Sequence, residues 1–333
     1  MEARTELPGV DLSRLGTYLR GSRPDLVRGP LTGWRISGGR SNLTYVITDG
    51  YDEWVLRRPP LGHVLATAHD MAREHRVLTA LAGTAVPVPT TLLLCADPDV
   101  LGAPFYLMER VHGTVYRSAA EVSQLPAGRV ARIARTLVDT LVVLHRVDPG
   151  RVGLGDFGRP DGFLARQVRR WGRQLAASRS RDLPGADQLA GQLAESVPGG
   201  SATAIVHGDY RLDNMLVDGD RIAAVLDWEM STLGDPLTDL ALLLVYQRYQ
   251  PLPGFPDDAT LTGWYQEQTG ADISGLDWYV ALGSFKLATI LEGIHYRHSR
   301  GLTVGAGFDQ IGDAVPPLIT QGLAALDRYL GGF

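Results

Sequence analysis

Between two apolar runs, Ser201 to Val206 and Ile222 to Leu226, the chain carries His207-Gly208-Asp209-Tyr210-Arg211-Leu212-Asp213-Asn214, and the second run ends at Asp227. Such a polar loop, with an Asn five residues after an Asp, is expensive to keep between strands without a task. The residue types name one. Phosphoryl transfer needs a carboxylate to orient and deprotonate an attacking hydroxyl, and an Asn and a second Asp to hold Mg2+ on the phosphates. Asp209, Asn214 and Asp227 supply that set. Arg211, two residues after Asp209, adds a fixed positive charge suited to a transferring phosphoryl group. The same residue types also cap helices and fill turns, and a lone His-Gly-Asp would read that way. The ordered set favours chemistry, with His207 expected to support the loop rather than to move a proton.

Two upstream features bear on the same chemistry. Ser37-Gly38-Gly39-Arg40-Ser41-Asn42 falls in a turn between strand-like runs, where glycines let backbone amides approach phosphate oxygens; a plain Gly-Gly hairpin turn is the alternative. Arg57 ends an apolar strand and Glu74 lies on the apolar stripe of a helical segment, and buried charges require partners, so the two are expected to pair.

The elements that must position these groups follow from periodicity. Leu43 to Thr48 and Trp54 to Arg57 are β-rich and flank Asp49-Gly50, which predicts a hairpin. From Ala66 to Leu81 the period becomes helical, with Met71, Leu78 and Leu81 on one stripe. Two further strands are expected at Thr91 to Cys95 and Pro104 to Glu109. After Gly113 the pattern is mainly helical: Val130, Ile133, Leu137, Leu141 and Leu144 share one face, and helices follow near Phe163 to Leu175 and Gln188 to Ala194. Past Asp227 the expected helices are Thr238 to Tyr249, Thr260 to Gln268, Trp278 to Tyr296 and Pro316 to Tyr329. The aromatic residues Trp264, Tyr265, Trp278 and Tyr279 read as core.

His207 to Asn214, followed by Val225-Leu226-Asp227-Trp228-Glu229 and Gly234-Asp235-Pro236, resembles the aminoglycoside phosphotransferase and choline kinase-like family. The resemblance covers nearly the whole chain. It implies an α+β, protein-kinase-like two-lobed fold: a small antiparallel-sheet N-lobe with one main helix (1–108), a hinge (109–113) and a larger, mostly helical C-lobe (114–333). It also implies ATP and Mg2+ as cofactors, Asp209 as base, Asn214 and Asp227 as metal ligands, and Asp235 as a buried brace for the catalytic loop. Arg57 and Glu74 match the strand Lys and helix Glu of kinases, with Arg in place of Lys. Phe105 to Gly113 looks like the hinge, so by analogy the Glu109 carbonyl and Val111 amide would meet adenine with Met108 behind the ring. Glu229, Glu292 and Arg297 are candidate acceptor contacts, with an ordinary solvated helix face the equal alternative for Glu292 and Arg297. Val55-Leu56-Arg57-Arg58-Pro59-Pro60, Ser41-Asn42-Leu43-Thr44-Tyr45 and Asp227-Trp228-Glu229-Met230 look most like the branch of kinase domains fused to acyl-CoA dehydrogenases, which act on hydroxyacyl thioesters. That ranks a small-molecule hydroxyl acceptor of this kind above an aminoglycoside. A non-catalytic pseudokinase is a rival supported only by Arg57. A protein kinase is disfavoured, because only six residues separate Asp227 from Gly234-Asp235-Pro236.

Composition bounds the partners. The 333 residues are 44% hydrophobic and 21% charged, with formal net charge −5. Neither a nucleic-acid-binding surface nor a membrane-surface helix is suggested by that balance. Cys95 is the sole cysteine, so no intramolecular disulfide can form and a cytoplasmic setting is the expectation. The opening Met1-Glu2-Ala3-Arg4, with Glu6 and Asp11, lacks the apolar stretch of a signal peptide, and no run approaches the roughly 20 apolar residues of a membrane span.

Overall fold

The computed structural model describes residues 7–36, 42–61, 70–199, 202–302, 308 and 310–331. The chain forms two compact units. The first takes residues up to Val115 and then Met215–Ser231; the second takes Tyr116–Asn214 and Thr232 onward. The polar loop therefore belongs to the second unit as far as Asn214, and Asp227 to the first.

The first unit is a five-stranded antiparallel sheet of β1 (Thr32–Arg35), β2 (Leu43–Thr48), β3 (Glu53–Arg58), β4 (Thr91–Cys95) and β5 (Phe105–Glu109) in the order β1-β2-β3-β5-β4. The expected hairpin is present, with Leu43 opposite Arg58 and Thr48 opposite Glu53. Strand alternation sorts the side chains. Tyr45, Ile47, Trp54, Leu56, Phe105 and Leu107 join one core with Leu12, Leu15 and Leu19 of α1 (Leu12–Ser22). The helical period expected from Ala66 is seen as α2 (Met71–Leu81), capped by Asp70; residues 66–69 lie outside those described. Arg57, one residue after Leu56, leaves the α1 core and reaches α2, whose buried stripe is Met71, Glu74, Val77, Leu78 and Leu81. A short α3 (Pro98–Leu101) joins β4 to β5.

The same unit contains the hairpin of β7 (Met215–Asp218) and β8 (Arg221–Val225). Val225 donates to the Pro87 carbonyl at 2.8 Å, and Thr114 bridges Val217. This fixes the end of β8, where Asp227 emerges.

The second unit holds α4 (Ala119–Val122), α5 (Arg129–His145), α6 (Phe163–Ser178), α7 (Ala186–Glu195), the strand pair β6 (Ala204–Val206) and β9 (Thr232–Gly234), and then α8 (Leu237–Tyr249), α9 (Asp258–Thr269), α10 (Leu276–Ser299) and α11 (Val315–Gly331). The helices α8 and α10 are buried along most of their length, so a charged residue on either one must be offset by a partner. A Cβ at Gly234 would stand 2.6 Å from the Phe163 ring, so only glycine lets α6 approach the end of β9. Tyr265, Trp278 and Tyr279 are core, as expected, while Trp264 is half-buried beneath Arg135. No helix among the described residues is long and apolar enough to cross a membrane.

Candidate active site

In the second unit the loop begins where β6 ends. Gly208 has φ +82°, a left-handed conformation that glycine adopts without steric cost, and it turns the chain so that Asp209 leaves the strand direction. Both carboxylate oxygens of Asp209 are engaged. Tyr246 Oη donates to Oδ1 at 2.6 Å, and Asn214 Nδ2 donates to Oδ2 at 2.9 Å and to the Asp209 carbonyl at 2.8 Å. The Asp209 amide donates to Nδ1 of His207, which is fully buried and edge-on to Tyr210. His207 thus supports the loop from inside.

Arg211 pairs with Asp213 and lies 3.9 Å from the Tyr246 ring centroid. Burial works against its charge, but Tyr246, Asp213 and Asp209 outweigh burial and hold the guanidinium above its ordinary value. Its positive charge is permanent at any working pH.

Two backbone amides of the loop go to a residue outside the expected set. His207 N and Gly208 N donate to Asp239 at 2.6 and 2.8 Å. Asp235, the expected brace, accepts from the Leu237 amide at 3.1 Å and from Tyr279 Oη at 2.8 Å, so it ties the start of α8 to α10. The bracing of these amides shifts by one helical turn. Asp239 is fully buried and faces His145 Nε2 at 3.4 Å, and His145 Nδ1 is 2.9 Å from Tyr265 Oη. Burial would raise the Asp239 pKa, yet the hydrogen bond and charge of His145, the charge of His207 and the Gly208 amide bring it below the usual carboxylate value. Lys286 of α10 donates to the Gly208 carbonyl from the other side.

In the first unit Arg57 Nη2 lies 2.8 Å from Glu74 Oε1 and 3.0 Å from Asp227 Oδ1. The expected pair exists and is extended to Asp227. Burial opposes the charge on Arg57, but Glu74, Tyr106, Asp227 and Glu229 raise its pKa further still. Burial also raises the Glu74 pKa, against the pull of Arg57. Among the described residues, Asp227 is the one non-glycine with positive φ, at +66°. Asp is among the few residues that tolerate this region, at a cost of roughly 1–2 kcal/mol. Trp228 behind it is buried and donates Nε1–H to the Val225 carbonyl at 3.0 Å, which holds the turn.

The other expected residues fall unevenly. Asn42 is buried and donates to Glu229 Oε2 at 3.2 Å, whereas Ser37, Gly38, Gly39, Arg40 and Ser41 lie outside the described residues. Met108 is buried in β5 opposite Val55, Glu109 ends that strand opposite Trp54, and Val111 follows it half-buried. Glu292, expected as an acceptor contact, is instead fully buried and is bonded by Arg181 Nε and Nη2 and by the amide and hydroxyl of Ser180. It is an internal anchor for the loop after α6. Arg297 is exposed near the end of α10.

Sequence reasoning did not single out Asp239, Tyr246, His145 or Lys286. A signal existed for three of them. Asp239 and Tyr246 bracket the apolar run 240–245 of α8 and, seven residues apart, share a face, and Lys286 is a lone cation within the apolar run of α10.

A small antiparallel sheet with one principal helix on its site-bearing face, together with a mostly helical unit carrying the Asp-Asn loop, is the protein-kinase-like architecture of phosphotransferases. The chain belongs to the phosphotransferase enzyme family, whose model matches residues 33–279. It is 35% identical over 341 residues to acyl-CoA dehydrogenase family member 11 of Rattus norvegicus, covering 96% of this chain and 44% of that protein. The chain therefore spans less than half the length of the curated relatives it matches. A solved protein of Ralstonia eutropha JMP134, provisionally named an aminoglycoside phosphotransferase, has a TM-score of 0.83 at 32% identity, covering 95% of this chain and 98% of that one. A thermostable mutant of aminoglycoside phosphotransferase APH(4)-Ia, solved with AMP-PNP and hygromycin B, shares the fold with a TM-score of 0.63 at 15% identity, covering 96% of this chain and 100% of that one.

Proposed function

We propose that this chain transfers the γ-phosphoryl group of ATP to a hydroxyl of a small molecule, with Asp209 as the base. The observation that carries this reading is the double hydrogen bond from Asn214 Nδ2 to the carbonyl and Oδ2 of Asp209. It aims the carboxylate and leaves the Asn214 amide oxygen for another ligand.

Each unit carries residues whose chemistry suits a part of ATP and Mg2+. Mg2+ takes oxygen donors, usually one or two from the protein and the rest from phosphates and water. Asn214 offers an amide oxygen, and Asp227, with a third of its side chain exposed and its Oδ1 on Arg57, offers Oδ2. Arg57, fixed by Glu74, is the cation for the α- and β-phosphates, and adenine is assigned to the Glu109 carbonyl and Val111 amide with Met108 behind it. When bound, the metal neutralises charge on the phosphates. Asp209 accepts the acceptor's proton as the new O–P bond forms and the bond from the γ-phosphorus to the β,γ-bridging oxygen breaks, releasing ADP. Arg211, clamped between Asp213 and the Tyr246 ring, offers fixed charge to the equatorial oxygens. Glu229, bonded by Asn42, is the candidate acceptor contact of the first unit.

For the acceptor, hydroxyacyl thioesters and related small alcohols rank first, supported by the likeness to the rat acyl-CoA dehydrogenase family member. An antibiotic O-phosphotransferase is the second reading, favoured by the provisional name of the Ralstonia relative. The deciding experiment measures Mg2+-dependent ADP release with hydroxyacyl thioesters, sugars, amino alcohols and aminoglycosides, using wild type and Asp209→Asn, with ATP affinity measured alongside. The reading expects release with one acceptor class, lost in Asp209→Asn while ATP still binds. Release persisting in that variant removes Asp209 as base. ATP binding without release by any acceptor favours a non-catalytic nucleotide-binding module.

A further inference from the structure

Two cations flank one indole ring beside the Asp209 loop. In the second unit, Arg170 Cζ lies 5.0 Å and Lys286 Nζ 5.4 Å from the ring centroid of Trp171, which is buried. Lys286 directs one N–H to the carbonyl of Gly208, the residue before Asp209. An ammonium has two more donors and a guanidinium has five.

Their company is unusual for this protein. Arg57, Arg181 and Arg211 each sit on a carboxylate. Among the described residues, neither Arg170 nor Lys286 has a carboxylate within ion-pair distance. Burial and the charge of Arg170 disfavour the charged form of Lys286, and Asp209 and Asp239 restore only part of that, so its pKa falls below the ordinary value. Two like charges beside a buried aromatic ring repel each other, and a cation–π contact of about 0.5–2 kcal/mol each does not neutralise them. An anion bound by both would. Arg170 is an exposed residue, while burial around its guanidinium lowers its pKa below the ordinary value.

We infer that Lys286 and Arg170 recognise anionic oxygens of the acceptor, next to the hydroxyl that Asp209 addresses. This rests on the phosphotransfer reading for the place of the hydroxyl, and it goes further by giving the acceptor a charge. The oxygens come from one of two sources, a carboxylate on the carbon skeleton that bears the hydroxyl or the phosphates of a coenzyme A thioester. Trp171, in contact with both cations, adds apolar surface beside them. A polycation is expected to be rejected here by like-charge repulsion.

The test uses binding to the whole chain, so that it does not depend on turnover. Calorimetric titrations with 3-hydroxybutyrate, 1,3-butanediol, 3-hydroxybutyryl-coenzyme A and kanamycin compare one skeleton with and without its anion. Wild type is expected to bind at least one anionic probe about ten-fold or more tighter than the diol, and kanamycin no tighter than the diol. Lys286→Met and Arg170→Met should each lose most of that preference, Lys286→Arg should recover part of it, and ATP affinity should stay within about two-fold, which excludes unfolding. The anionic probe whose affinity drops identifies the source of the oxygens. A wild-type protein with no preference for an anion, or a preference that survives both methionine variants, overturns the inference. If the preference is present but no acceptor supports ADP release, the phosphotransfer reading fails and the anion site stands. ADP release without the preference overturns the anion site and leaves the phosphotransfer reading in place.

Discussion

Tyr246 donates its hydroxyl proton to Oδ1 of Asp209 at 2.6 Å while its ring supports the guanidinium of Arg211. One side chain of α8 therefore holds the proposed base and the proposed phosphate-facing cation in register. The same helix supplies Asp239 to the loop amides, seven residues earlier and on the same face.

Tyr246→Phe keeps the ring beneath Arg211 and removes only the bond to Asp209. A hydrogen bond to an ionised group contributes about 1.5–3 kcal/mol, so kcat for ADP release is expected to fall roughly ten-fold or more. Tyr246→Leu should fall further because it also removes the seat of Arg211. Steady-state kinetics with the best acceptor distinguish the two, and wild-type kcat in the Phe variant would sink the positioning role.

Arg57 joins Glu74 to Asp227, and Glu74 is 2% exposed. Arg57→Met strands that carboxylate in the interior, and breaking a buried pair from one side costs about 3–5 kcal/mol. Urea denaturation should show that loss, with Glu74→Gln added to Arg57→Met recovering part of it. If the double variant is no more stable than Arg57→Met, the stranded charge is not the cause.

These pairings show where the sequence was readable. The Arg57–Glu74 contact was legible because strand alternation and a helical stripe each put a charge where apolar residues surround it. The β2–β3 hairpin was legible from two β-rich runs around Asp49-Gly50. Asp239 was not, because motif order favours the Asp of Gly-Asp-Pro, while the hydrogen bonds depend on which turn of α8 meets the loop. Tyr246 offered only its spacing from Asp239, and its role appears once its hydroxyl is seen to reach Asp209. Glu292 failed in the opposite sense: its charge on α10 suggested a ligand, and the partner that satisfies it, Arg181, lies 111 residues away in the chain. The helix α1 was not anticipated at all, since Asp11 caps only a short amphipathic segment whose core exists once the sheet has formed.

Asp227 combines a left-handed backbone with a contact to Arg57. Asn tolerates the same backbone, so Asp227→Asn should fold with stability within about 1 kcal/mol of wild type. Removing the charge should nevertheless lower Mg2+-dependent ADP release by about 100-fold or more. Thermal melts and ADP release on one preparation check both halves, and a variant that keeps its activity removes Asp227 as a metal ligand.

Glu292 anchors Ser180 and Arg181, and Arg181 also reaches the Gly312 carbonyl. Glu292→Ala should therefore cost stability, about 2–4 kcal/mol once the partial exposure of Arg181 is allowed for, and Glu292→Gln less. Acceptor KM should change little in the Gln variant. A selective rise in KM with unchanged stability would restore Glu292 as an acceptor contact.

Asp239 gives the loop a pH dependence whose sign is fixed by its surroundings. Its carboxylate is held below the ordinary value, chiefly by His145 against the opposing effect of burial. The unfolded chain, with a carboxylate near its reference value of about 3.9, then binds this proton more readily than the folded one. The stabilisation is complete above the unfolded value and is lost as pH falls toward the lower, folded value. Urea midpoints of wild type should thus decline between about pH 5 and pH 3. Asp239→Asn should start lower at pH 7, because His207 N and Gly208 N lose a charged acceptor, and should decline less over that window. The two curves should approach each other at the acid end. Parallel curves would mean that the acid-sensitive stability comes from another carboxylate and that Asp239 braces the loop by geometry alone.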